Sequence, residues 1–267
     1  MRTGILRGRD HTLLGAVAAL AERRVAIALS RGGAAKSYDH VDPNEDACAF
    51  AFTEHAWLVA VTDGHWGCGG AELALERVLE RHAPRWTAPA PIALAERWHV
   101  EAPEVVLDLN RVLVSAGSGA QTVGRTTLAV GLVRPNDGWW AALLVGDSHL
   151  FAVEGAGVRE LCPAGDGVVF VGDRHLDPGN VDRCFRSALE SHSPRGPIVL
   201  ATDGLSETAI GVPDPAAAVA ESVSAAREAS GDLRPLATAR GLAERALAAQ
   251  RRNRAGDNVA TACIWCD

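Results

Sequence analysis

Positive charge is scarce in this chain: 26 lysines and arginines stand against 33 aspartates and glutamates, giving a net charge of −7 and a pI near 5.7. That balance argues against a nucleic-acid partner or an anionic membrane surface, since either needs a basic face to displace counterions. Long hydrophobic runs are missing too. The apolar stretch 13–20 is too short to span a bilayer, and the acidic Glu22 follows it with no small-residue cleavage site, so neither a membrane span nor a leader peptide is expected. The cysteines, at 48, 68, 162, 184, 263 and 266, are too scattered in too large a chain for a secreted disulfide framework, and a reducing cytoplasm is the expected setting. Cys263 and Cys266 form one CxxC, but residues three apart in a strand face opposite ways, which disfavours a zinc or redox role. There is no internal repeat, no long low-complexity tract, and none of the strand–helix alternation of a doubly wound parallel sheet.

What remains is a chain that is 48% apolar and 22% charged, the balance of a soluble protein with one substantial core. Residues 1–22 read as a short amphipathic helix or a loose arm, because Leu13, Leu14, Val17 and Leu20 recur at helical spacing, and residues 23–267 read as one domain. Strands are predicted at 25–30, 47–53 and 57–62, with Glu54-His55 as a hairpin turn. Apolar stripes predict helices at 71–82 and 103–115, separated by a proline-bearing linker at 84–91. The middle then changes period. Short apolar runs at 126–133, 139–145, 150–153, 158–161 and 168–171 predict an antiparallel meander, in which one of the adjacent Trp139 and Trp140 faces the core and the other a helix or solvent. A strand at 198–202, alanine-rich helices at 213–229 and 235–252, and a last strand at 259–266 complete the reading.

Acidic residues recur at the ends of these β-like runs, beside glycine or asparagine: Asp63 in VAVTDGHWG, Asp147 in LLVGDSHL, Asp203 in IVLATDGLSE and Asp257 in AGDNVATA. Asn44-Glu45-Asp46 precedes the strand at 47–53. Carboxylates at strand ends converge if the strands are neighbours, and they then repel and raise one another's pKa unless a cation neutralises them. An all-oxygen set suits Mg²⁺ or Mn²⁺, whereas zinc or copper would call for His or Cys. Gly64 lets the chain turn sharply, so that its carbonyl can face the same ion as Asp63. Singly, such motifs are commonly turns, hairpins or caps.

Their joint order is more specific. The series NEDA, TDGHWG, GRTTLAVGLV, LLVGDSHL, VLATDGLSE and GDNVAT resembles, over residues 25–266, the signature series of the type 2C metal-dependent serine/threonine protein phosphatases. The resemblance implies an α+β fold, a four-layer αββα sandwich of two antiparallel sheets flanked by helices on both faces. It also implies two Mn²⁺ or Mg²⁺ ions at one end of the sandwich, with a third, weaker site. By the same resemblance Asp63 bridges the two ions, Gly64 lends its carbonyl, and Asp203 and Asp257 complete the first ion's shell. Glu45 and Asp46 act on the second, Asp147 helps hold the third, and His65 is the general acid. The implied activity is hydrolysis of phosphoserine or phosphothreonine in a phosphorylated protein by a metal-activated water, without a covalent intermediate. The chain is expected to act as a monomer. A low-turnover binding module and a small-molecule phosphomonoesterase stay open as alternatives.

The sequence also departs from the family pattern. Val41 stands where the family often carries a phosphate-clamping arginine, and Lys36, Arg31, His40 and Arg125 are candidates to replace it. Trp66 follows His65 where a small residue is common, His149 replaces an arginine after Gly-Asp-Ser, and Glu207 an aspartate. The stretch 162–174 lacks the family's usual segment.

Overall fold

The computed structural model describes residues 1–89, 94–117, 123–155, 157–161 and 169–266. Every strand run with both faces apolar is sandwiched between two other layers, and this explains why those runs are continuously hydrophobic although their sheets are antiparallel. The first sheet orders β1 (Arg2–Arg7), β4 (Ala47–Phe52), β5 (Trp57–Thr62), β8 (Leu128–Arg134), β9 (Trp139–Val145) and β12 (Arg186–Glu190). The second orders β11 (Gly157–Glu160), β10 (His149–Glu154), β13 (Ile198–Ala201), β14 (Val259–Ile264), β3 (Val25–Ser30) and β2 (Ala18–Glu22). A two-residue ladder joins β6 (Gly64–His65) to β7 (Arg125–Thr126).

The pleat sorts side chains between layers. In β4, Cys48, Phe50 and Phe52 enter the core between the sheets, while Ala47, Ala49 and Ala51 face helices α1 (Gly69–Arg77), α2 (Ala83–Trp86) and α3 (Trp98–Ala116). In β3, Val25, Ile27 and Leu29 point inward, and Ala26 and Ala28 face α4 (Pro215–Ala226) and α5 (Arg234–Asn253). Small residues under the helices let them lie close to the sheet, and the bulk fills the centre. Trp140 packs between the sheets and Trp139 under the first helical layer, both buried. Cys263 and Cys266 likewise lie in different layers. The expected four-layer αββα sandwich of two antiparallel sheets is the observed architecture. Among the described residues, no helix is long and apolar enough to cross a membrane.

Several elements differ from the expectation. Residues 1–22 form neither an amphipathic α-helix nor a loose arm: β1 pairs with β4 and β2 with β3, so this segment, with one 3-10 turn at Gly8–Asp10, supplies one edge strand to each sheet. The periodic leucines misled because they are not core residues; Leu13 is 75% exposed, and Gly15 sits at φ +78, which breaks a helix there. The linker expected at 84–91 starts with a helical turn, Ala83–Trp86, and residues 90–91 lie outside the described residues. The strand expected at 168–171 reduces to a single bridge from Val171 to Thr126, residue 168 being outside the described set. β12 was not expected, since RSALE alternates half-buried and exposed residues with no apolar run.

Candidate metal centre

The register of both sheets brings the acidic strand ends to one end of the sandwich. In the first sheet Ala47 pairs with Thr62, Val61 with Ala129, and Leu128 with Val145, so Asp46, Asp63 and Asp147 leave from neighbouring ends. In the second, His149 pairs with Ala201 and Ala201 with Thr261, which sets Asp203 and Asp257 side by side on the facing layer.

Carboxylate oxygens of Asp63, Asp147 and Asp203 lie within 4.8 Å of one another. Asp257 joins Asp63 and Asp203 in lining a cleft of about 430 Å³, together with Glu45, Gly64 and His65. A Cβ on Gly64 would stand 2.5 Å from the Glu45 carbonyl, so only glycine lets the Asp63 turn pack here. Asp46 lies beneath the cleft, 1% exposed, accepting a 2.7 Å hydrogen bond from Thr202 Oγ1. Glu45 is turned differently: its Oε1 accepts from the backbone N–H of Val41, Asp42 and Gly67, and its Oε2 is 3.4 Å from Lys36 Nζ. Lys36 Nζ is also 3.4 Å from Asp257 Oδ1, which accepts in addition from Tyr38 Oη–H and from Asn258 N–H. His65 stands at the rim, with Nε2 3.1 Å from Asp63 Oδ2 and the ring edge-on to Phe170 at 4.3 Å.

Electrostatically the cluster is under tension. Burial, and then the charges of Asp63 and Asp257, push the Asp203 and Asp46 carboxyls well above the usual carboxylate range. Asp147 is raised by burial and by Asp63. Asp257 is raised by burial against the pull of Lys36. Burial lowers the Lys36 pKa, but Asp257, Asp46, Glu45 and Asp63 together outweigh it and hold the ammonium above the ordinary lysine value. Burial also works against a charged His65, and the Asp63 carboxylate, 3.1 Å from Nε2 but not aligned for a hydrogen bond, outweighs it and raises the imidazole. Acids so crowded are relieved by a divalent cation. Two features of the residues fit a hard ion: the donors are all oxygen, and Asp147 Oδ1 is buried with no hydrogen-bond partner.

Of the anticipated positions, Asp63, Asp147, Asp203, Asp257 and Gly64 come together, with Asp46 directly beneath. Of the four basic residues considered, Lys36 makes ion pairs with the acids and His40 lines the same cleft, while Arg125 pairs with His65 across the β6–β7 ladder, its guanidinium 5.8 Å over the Phe170 ring. Val41 is 64% exposed and Trp66 62%, both on the rim, and Trp66 holds φ +70, a strained conformation for a bulky residue. His149 spends both ring nitrogens on Glu160 and Ser206, a structural tie. Sequence reasoning missed Tyr38, the chain's single tyrosine, and Thr202; the repeated Thr-Asp-Gly at 62–64 and 202–204 was the available signal for the latter.

No known family profile and no curated protein matches the chain. Solved structures do. A variant of a bacterial serine phosphatase superposes with a TM-score of 0.66 at 15% identity, covering 92% of this chain and 100% of that one. The Mycobacterium tuberculosis serine/threonine phosphatase PstP/Ppp gives 0.62 at 17% identity, over 91% of this chain and 98% of that one. The catalytic domain of PstP in complex with two manganese ions gives 0.60 at 14% identity, over 94% and 100%. At these identities the shared property is the fold, and this chain has the fold of the bacterial type 2C serine/threonine phosphatases.

Proposed function

We propose that the chain is a metal-dependent phosphatase that hydrolyses phosphoserine or phosphothreonine in proteins. The observation that carries this reading is the meeting of Asp63, Asp147 and Asp203 from three different strand ends, with Asp257 on the same cleft. Asp63, the Gly64 carbonyl, Asp147, Asp203 and Asp257, with Glu45 and Asp46 behind them, hold Mn²⁺ or Mg²⁺, as a PstP structure holds two manganese ions. Such ions supply positive charge against the phosphoryl oxygens and lower the pKa of water toward neutrality. His65, with Nε2 3.1 Å from Asp63 Oδ2 and its ring packed edge-on to Phe170, supplies the proton that the departing serine or threonine oxygen takes up.

A polypeptide substrate is favoured by the surface next to the cleft. Val41 and Trp66 line both the acidic cleft and a groove of about 1160 Å³ that runs past Arg125 and Arg174, so a chain on either side of the phosphorylated residue has a path. A nucleotide or sugar phosphate would leave that groove unused. The test is hydrolysis of an aryl phosphate with Mn²⁺, which EDTA and Asp63→Asn should each reduce at least about 10³-fold. Activity that survives chelation, or none with any divalent cation, rejects the proposal. Phosphoserine and phosphothreonine peptides compared with nucleotides and sugar phosphates then decide the substrate; a large preference for the small molecules would exclude a protein target.

A further inference from the structure

Lys36 is the single lysine among the 26 basic residues, and the other 25 (26 − 1) are arginines. In a chain that otherwise uses arginine throughout, its one lysine side chain is 5% exposed inside the acid cluster, with Nζ 3.4 Å from both Glu45 Oε2 and Asp257 Oδ1. An ammonium is a compact point charge, close in character to a metal ion, and a planar guanidinium is not. Its position is built by the backbone. Residue 36 bridges Gly256 in parallel, Gly256 N–H donates to Ala35 O at 3.1 Å, and a Cβ at 256 would fall 1.8 Å from Ala34 O. Gly33 N–H donates to Gln250 Oε1 of α5 at 2.7 Å. Beyond it, the Tyr38 ring faces the ammonium at 5.1 Å while its hydroxyl binds Asp257. Loop and side chain are therefore anchored on both sides, and the ammonium occupies carboxylate oxygens that a divalent ion would need.

We infer that Lys36 is a tethered cation standing between Glu45 and Asp257, so that one divalent ion enters at Asp63, Asp147 and Asp203, in place of the first position that the resemblance implies at Asp63, Asp203 and Asp257, and a second enters only by displacing the ammonium. The inference rests on the metal-centre reading above, and it makes the two ions unequal. A second ion must drive a positive charge out of its own site, so its affinity is set by how firmly loop 33–38 holds Lys36. Occupancy of the second position thereby becomes a graded response to the concentration of free cation.

The experiment uses the full chain stripped of metal. Calorimetric titration with Mn²⁺ should resolve one tight ion and a second at least about 10-fold weaker, and Lys36→Met, which keeps the stem and removes the charge, should tighten the second about 10-fold while leaving the first unchanged. In the unmodified protein, acylation at Lys36 followed by mass spectrometry should be slow without metal and should accelerate only at the concentrations that fill the second site. This readout needs no variant to fold and no turnover. Equal affinities in the wild type, or a lysine whose reactivity ignores the second ion, overturn the inference. So does a Lys36→Met protein that binds both ions as before but has a higher KM for aryl phosphate, since that makes Lys36 a phosphate clamp. If neither protein binds manganese at all, the metal-centre reading itself falls.

Discussion

A proton donor matters most when the leaving group is poor, and this gives His65 a sharper test than loss of activity. Serine and threonine depart as alkoxides and need the proton; a nitrophenolate does not. His65→Gln should lower kcat for a phosphoserine peptide by about 10²-fold or more while changing kcat for nitrophenyl phosphate by less than about 10-fold. Equal losses on both substrates would make His65 a structural partner of Asp63, consistent with their 3.1 Å contact, and would remove the general-acid role. The acids were legible in the sequence because each sits beside glycine or asparagine at the end of an apolar run, and backbone reversal at strand ends is locally encoded. Lys36 was visible only as one of four candidates, and Tyr38 not at all. Both reach the site through a loop whose course is fixed by a bridge to Gly256, some 220 residues away along the chain (256 − 36 = 220), and no local pattern encodes such a contact. Glu45 was read as a ligand, and its cap on the backbone N–H groups of Val41, Asp42 and Gly67, three donors on one oxygen, depends equally on the fold.

At the scale of elements, one carboxylate ties α1 to α3 in the helical layer over the first sheet. Asp108 on α3 accepts two hydrogen bonds from Arg77 on α1, at 2.8 and 2.9 Å, and lies 3.0 Å from His82 Nε2. The Arg77 bonds dominate burial and hold the Asp108 carboxyl down at about 2. A folded-state value below the unfolded one means stability that is present above pH of about 4 and lost as the pH falls toward 2. Allowing for the solvent that reaches Arg77 and Arg81, the contribution is about 1 kcal/mol. Asp108→Asn should therefore lower the unfolding free energy measured by urea titration at pH 7 by that amount, and the gap between variant and wild type should close below pH 3; a gap that persists in acid would assign the loss to packing. These helices were readable from their apolar stripes, as were the strands buried on both faces. β1, β2 and β12 were not. Edge strands owe their conformation to the neighbour they pair with, so a polar alternation such as RSALE, or leucines that stay exposed, carries little local signal.

For the whole molecule, the acidic cluster sets how stability responds to pH and to metal. Asp46, Asp203, Asp257 and Asp147 all hold their protons to higher pH in the folded chain than in the unfolded one, chiefly through burial, and His65 is also raised, through Asp63. The folded state then binds more protons than the unfolded state wherever these groups titrate, so stability is greatest at mildly acidic pH and falls as the pH rises through the raised values. This slope has the opposite sign to that of Asp108, and it occupies a higher pH window, so a single titration separates the two. In EDTA the melting temperature should decline as the pH rises above the ordinary carboxylate range. Mn²⁺ takes the place of those protons and binds the ionised acids more tightly as pH rises, so the decline should flatten. At about a hundredfold excess over its dissociation constant the ion should raise Tm at pH 8 by about 5–10 °C. Asp203→Asn removes one of the mutually repelling charges, so the variant should melt higher than the wild type in EDTA at pH 8 and lower than it in Mn²⁺. A crossing of that kind requires an acid that is costly to the bare fold and is kept for the ion. Parallel curves with and without Mn²⁺ would mean instead that these carboxylates are tolerated by the fold for reasons unrelated to any cation.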